Sequence, residues 1–300
     1  MTPNQTDFSW TIRVLETPEQ MDAVVDLQRL IWSGSETNIV PSHLLVTLAH
    51  NGNIVFGAFI QEEDSQSERL IGFSFGFPGR VSSAEGAAVK YCSHQLGVHP
   101  DYCGQGVGFA IKRAQWQFAR QQGYDQITWT YDPLLSRNGY FNIHKVGATC
   151  NTYARNFYGT LDDDLNAGLH TDRFQVDWWL RSRRVERRLS RRPRSPLDLN
   201  HVLSAGASIV NPVESTQNGW PVPGKISLER SADAVLLVQI PPDFLALKAA
   251  DLDLALAWRL HSRTLFESLF AEGYLVTDFI RQKGSQPRSF YVLSHGESTF

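Results

Sequence analysis

Three alternating glycines, Gly104, Gly106 and Gly108, stand between a strand-like run ending at Val98 and an amphipathic run beginning near Val107. Glycines at a helix start clear side chains away from backbone N–H groups that have no partner inside the helix. Those donors and the positive end of the helix dipole converge there, which suits a phosphate or another anion. Four residues before Val98 lies His94, an imidazole that titrates near neutrality and can serve as a general base. Strict alternation along the strand puts Cys92, His94, Leu96 and Val98 on one face. Glu85 and His99 are the other candidates for the base. A second polar and aromatic stretch follows at residues 128–142, where Trp129, Tyr131, Asp132, Ser136, Arg137, Asn138 and Asn142 crowd a strand-to-helix corner.

The elements that must position these groups are legible from periodicity. Residues 10–15 alternate as a strand, and Thr17-Pro18-Glu19-Gln20 opens a helix with a capping box and an early proline. A short helix is expected over Leu44–Leu48, then strands over 54–60, 70–77 and 91–98. Val107, Ala110, Ile111, Ala114 and Phe118 form the apolar stripe of a helix closed by Gly123. A strand at 127–131, a helix at 134–146, and strands at 149–153 and 175–180 complete the first part. Residues 181–227 read as an Arg- and Pro-rich linker or arm. Beyond it come a strand at 235–240, a helical region at 244–271, and strands at 274–280 and 289–293.

Composition narrows the class. With 300 residues, 42% of them hydrophobic, the chain can bury a sizeable core. Three cysteines, Cys92, Cys103 and Cys150, suit neither a disulfide framework nor a zinc cage, so no metal is expected. No secretory pattern or membrane-length apolar run is present, which points to the cytoplasm and away from a membrane. Eight arginines and one acid lie between Arg181 and Arg194, against a formal net charge of −3 for the whole chain. No stacking platform or reading motif accompanies them. A solvated or acid-paired helix is the plainer reading, and no nucleic-acid partner is expected.

Strand, then Val98-x-Pro100-x-Tyr102-x-Gly104-x-Gly106-x-Gly108, then amphipathic helix, strand and a helix ending at Gly147: this resembles the GNAT superfamily of acyl-CoA-dependent N-acyltransferases, over residues 10–180 by element order. The resemblance implies an α/β (α+β) fold with a mixed, mostly antiparallel central sheet flanked by helices. It implies an acyltransferase domain at 8–182, the linker or arm at 183–228, and a smaller αβ segment at 229–300 that packs on or extends the sheet. It implies acetyl-CoA as co-substrate, held by Leu96, Gly97 and Val98 along the pantetheine. The diphosphate would lie on the turn of Tyr102, Cys103, Gly104, Gln105, Gly106, Val107 and Gly108, in a gap between splayed strands.

Ser136 takes the position of the family's common Asn at a helix start, and with Asn138 and Asn142 it would meet phosphates or polar substrate. His94 would be the base, and Trp129, Tyr131 and Asp132 would recognise a small-molecule amine. Two positions depart from the pattern. Cys103 replaces the usual Arg or Gln, and Ile143 stands where many members place the tyrosine that protonates the leaving thiolate. Tyr140, or else Tyr131, is then the substitute acid. A homodimer is compatible with this reading. The competing reading is a non-catalytic module of the same fold that senses acyl-CoA or binds a partner.

Overall fold

The computed structural model describes residues 9–295 apart from 33, 35, 63–66, 84–85, 162, 164, 191–196, 217 and 228–234. Glu85 therefore lies outside the described residues. The fold is mixed α/β with mostly antiparallel strand pairing. It divides into two compact units, Met1–Ile127 and Thr128–Phe300, whereas the sequence reading placed its first boundary at residue 182. Among the described residues no helix is long and apolar enough to cross a membrane.

In the first unit, β1 (Trp10–Val14), β2 (Val55–Gln61), β3 (Glu68–Ser83) and β4 (Gly86–Val98) form an antiparallel ladder in that order. Helix α1 (Pro18–Ile31) begins as its sequence demands: the Thr17 hydroxyl accepts the Gln20 N–H, and Gln20 Oε1 accepts the Thr17 N–H at 3.1 Å. Its apolar stripe of Met21, Val24, Val25 and Leu27 packs with Leu45 of α2 (Ser42–His50) onto Leu15, Val55, Phe73 and Phe75. Each such burial contributes about 1.5–3 kcal/mol. The opposite face of the ladder carries α3 (Val107–Gln121), whose Val107 and Ile111 lie beside the backbone of Gly72. The buried positions of α3 are Val107, Ile111, Lys112, Gln115, Phe118 and Ala119. This stripe is rotated from the one expected, because Ala110 and Ala114 are only half-buried. The β3–β4 hairpin is also longer than expected, since β4 begins at Gly86 rather than Tyr91.

Strand β5 (Gln126–Tyr131) crosses the boundary, and the second unit continues with a short α4 (Ser136–Gly139) that runs straight into a π-helical turn, Tyr140–Lys145. The single helix expected at 134–146 is thus two short pieces of different pitch. Next come β6 (Thr149–Ala154), β7 (Arg173–Trp179), α5 (Arg183–Arg188) and α6 (Leu199–Ser204). Two-residue strands β8 (Ser208–Ile209), β9 (Glu214–Ser215) and β10 (Pro221–Val222) precede β11 (Leu236–Ile240). Helices α7 (Phe244–Ala250) and α8 (Leu252–Ala271) break at Asp251, whose carboxylate caps Leu254 at 2.8 Å. Strands β12 (Tyr274–Gln282) and β13 (Arg288–His295) are the last elements among the described residues.

The strand order in this unit is β5-β7-β6-β12-β13-β11-β8. Val276 of β12 pairs with Cys150 of β6, so the C-terminal strands extend the sheet of the second unit. The expected linker contains structure as well. Arg184 of α5 donates to the carbonyls of Gly147 (2.9 Å) and Ile143 (3.2 Å), which caps the end of the π-helical turn. Arg188 donates to Asp278 at 2.6 Å, and the pair is buried.

Candidate active site

His94 sits at an irregularity in the β3–β4 ladder. Phe75 pairs with Gln95 and Gly76 with Ser93, so His94 is the extra residue of a β-bulge. The bulge breaks the alternation on which a shared face of Cys92, His94, Leu96 and Val98 was based. Leu96 and Val98 pair with Ser74 and Gly72, which face α3. His94 instead lies on the opposite face, against Phe75 (ring centroids 5.5 Å) and Phe77 (5.8 Å). Its edge is exposed, while desolvation by these neighbours pushes its pKa below the ordinary imidazole value. A neutral, accessible imidazole is what a base at neutral pH requires. Gly76 makes the bulge possible: a Cβ there would come within 2.2 Å of the Cys92 carbonyl oxygen and 2.7 Å of the Tyr91 ring.

Beyond the bulge the strand runs to the glycine turn. His99 N–H donates to Ile71 O at 2.8 Å, so the polar groups of Leu96 and Val98 alternate to the side away from β3. A single 3₁₀ turn, Pro100–Tyr102, then leads to Gly104 (φ +85°) and Gly106 (φ +98°). Both adopt the left-handed conformation that side chains resist. The amides at the start of the turn are engaged internally: Tyr102 N–H donates to His99 O at 3.0 Å and Cys103 N–H to Pro100 O at 3.1 Å. This corrects the expectation that Tyr102 and Cys103 contribute amides to an anion. Among the described residues, the N–H groups of Gly104, Gln105, Gly106, Val107, Gly108 and Phe109 meet no protein acceptor. No side chain caps α3. Its N-terminal end, with Gly104 and Gln105 ahead of it, therefore presents a run of free donors.

The other thiol and imidazole of this region have local duties. The Cys103 thiol donates to Val98 O at 3.6 Å. Arg69 donates to His99 Nε2 at 2.6 Å, and burial with the Arg69 charge lowers the His99 pKa. His99 is buried and held in place, which removes it as a base candidate.

In the second unit the polar corner divides into interior and accessible groups. Asp132 is buried and accepts from Arg259 Nη1 at 2.8 Å and from Leu134 N–H at 2.9 Å. Burial works to raise its pKa, but Arg259 outweighs it and holds it low. The Tyr131 phenol is buried 3.2 Å from that of Tyr291, and Ser136 Oγ lies 2.7 Å from Ser289 Oγ in the interior. Tyr131, Asp132 and Ser136 are structural groups here, contrary to the roles expected of them. Trp129 is half-buried, stacks edge-on against Trp178 and donates to buried Asn142 at 3.1 Å. Asn138 is half-exposed and Arg137 exposed. Tyr140, half-exposed on the π-helical turn, stacks on His144 at 4.8 Å, with Lys145 and Arg281 about its ring. Ile143 is fully buried.

A cluster that the sequence reading missed lies beneath the bulge. Lys112 is 2% exposed, and its Nζ donates to Ser93 Oγ (3.0 Å) and Gln115 Oε1 (2.9 Å). Gln115 Nε2 in turn donates to Ser93 Oγ (3.1 Å) and Ser74 Oγ (3.3 Å). Lys112 and Gln115 are three residues apart on the side of α3 that the apolar pattern did not assign to the core. Their spacing was the one available signal. Among the described residues, no cluster of three His, Cys, Asp or Glu side chains is placed to hold a metal ion.

No family model and no curated protein matches this sequence. Solved structures similar to part of it are acetyltransferases. One is NAA60 from Arabidopsis thaliana in complex with a bisubstrate analogue, 17% identical, covering 57% of this chain and 99% of its own, at a TM-score of 0.45. Another is the ribosomal-protein-S18-alanine N-acetyltransferase from Escherichia coli, 14% identical over 57% of this chain and 94% of its own, at 0.42. A third is an aminoglycoside acetyltransferase from an uncultured soil metagenomic sample, in complex with trehalose, 18% identical over 43% of this chain and 82% of its own, at 0.35.

Proposed function

We propose that this chain is an acyl-CoA-dependent N-acyltransferase of the GNAT kind, moving an acetyl group from acetyl-CoA to the amine of a small molecule. The observation that carries the reading is the row of amides from Gly104 to Phe109 without protein acceptors, reached by the same strand that presents a bulged, low-pKa His94. The amides and the α3 dipole take the diphosphate. The backbone of Leu96 and Val98, directed away from β3, pairs with the pantetheine amides as an added strand would.

His94 removes a proton from the acceptor ammonium, directly or through one water. The freed amine attacks the thioester carbonyl, the attacking nitrogen loses its second proton to solvent, and the tetrahedral intermediate expels the CoA thiolate. The thiolate takes up a proton from solvent. No acyl-enzyme forms, because no protein nucleophile is needed between the two substrates.

Calorimetric titration with acetyl-CoA tests the binding half of this reading, and turnover across a panel of amines tests the chemical half. The absence of both binding heat and thermal shift at millimolar acetyl-CoA would overturn it. The second reading, a non-catalytic acyl-CoA-sensing module, is favoured by one observation: buried Ile143 occupies the position where a tyrosine acid is usual. Binding without turnover, unchanged in His94→Ala, would select it.

A further inference from the structure

The bulge at His94 is anchored from the face opposite the imidazole. Ser93, the residue before it, points toward α3 and receives hydrogen bonds from Lys112 Nζ at 3.0 Å and Gln115 Nε2 at 3.1 Å. Gln115 also reaches Ser74 on β3, two residues before Gly76, which pairs with Ser93. The hydrogen bonds therefore tie α3 to both strands at the point where the ladder gains its extra residue. A bulge can relax by sliding one residue, and a slide here would turn Ser93 away from α3 and swing His94 off Phe75 and Phe77. Holding Ser93 prevents that slide.

We infer that Lys112, acting through Ser93, is a positioning residue that fixes the bulge and so sets the place and environment of His94. Lys112 touches no substrate in this scheme. The inference rests on the reading of His94 as the base, but only for its consequence in catalysis. The anchoring itself concerns the imidazole alone. The arrangement also links the two halves of the proposed site, because α3 offers its N-terminal amides to the anion and its Lys112 to the strand bearing the base. An ammonium in a dry interior is a costly choice for a purely structural contact, and a core of ordinary apolar residues would pack more stably.

The test is the titration of His94 followed by NMR of its imidazole, in the full chain and in Lys112→Met and Ser93→Ala. If the anchor sets the imidazole's surroundings, either substitution lets the ring move toward water. Its midpoint then rises toward the ordinary histidine value by about half a unit or more. An unchanged His94 midpoint in a folded Lys112→Met chain overturns the inference. If Lys112→Met does not fold, Ser93→Ala decides alone, since it keeps the Lys112–Gln115 and Gln115–Ser74 bonds and removes only those to β4. This readout needs no turnover, so it separates a failure of the anchor from a failure of the acyltransferase reading. Where turnover is measurable, both variants are expected to lower kcat at least tenfold and shift the acidic limb of its pH profile with the NMR midpoint.

Discussion

Burial holds the Lys112 ammonium far below its ordinary pKa, from 10.5 down to about 7. At about 1.4 kcal/mol per unit, this shift corresponds to a folding cost of about 5 kcal/mol when the amine is charged. The sign follows from proton counts. Between the two pKa values the unfolded chain holds a proton that the folded chain lacks, so stability rises with pH across that window. The penalty is full below pH 7, and from about pH 6 to about pH 9 this one group should add about 3 kcal/mol of stability.

Replacing Lys112 with Met removes the penalty and its pH dependence. It leaves Gln115 Oε1 without the Lys112 donor seen at 2.9 Å, at a cost of about 1–3 kcal/mol. The variant should thus be more stable than the parent at about pH 6, by about 2–4 kcal/mol, and nearly equal to it at about pH 9. Urea denaturation of both chains at the two pH values measures this, because the difference cancels other titrating groups. A parent-minus-variant difference that stays constant with pH would refute the reasoning.

Three further outcomes follow from the geometry. Gly106→Ala places a side chain at φ +98° with only Trp10 nearby, so its cost is backbone strain of about 1–2 kcal/mol. If the amides of that turn hold the diphosphate, acetyl-CoA affinity by calorimetry falls at least tenfold. His94→Ala should lower kcat about 100-fold or more while leaving acetyl-CoA affinity unchanged, and the parent's acidic limb should lie below the ordinary histidine value, as its desolvation requires. Arg188→Met leaves Asp278 buried beside His144 without its guanidinium partner. Urea denaturation should show a loss of about 3–5 kcal/mol.

What the sequence revealed and what it hid have separate physical causes. Helix starts, glycine stops and apolar alternation are local, and α1, α3 and the main strands fall where those signals put them. The bulge was invisible, because an extra residue leaves a strand's composition unchanged while reversing the faces of everything after it. Alternation therefore put His94 with Leu96, although the ring lies with Phe75. Asp132 looked available because its counter-ion, Arg259, stands 127 residues away. The arginine run concealed its purpose for the same reason: Arg188 meets Asp278 and Arg184 meets Ile143 only after folding. The glycine turn was readable as an anion cradle, but not which of its amides are free, since that depends on the 3₁₀ turn that engages Tyr102 and Cys103.

The partnership of β6 with β12, at Cys150 and Val276, has a practical bearing on how this protein can be shortened. A chain ended at residue 182 would expose a bare strand edge, deprive Asp132 of the Arg259 guanidinium that hydrogen-bonds it, and open the last turn before Gly147. Naked edges recruit other chains. Such a fragment should aggregate on expression, and size-exclusion chromatography would reveal it, while versions that retain residues 128–295 stay dispersed. The last third is thus part of the scaffold rather than an appendage.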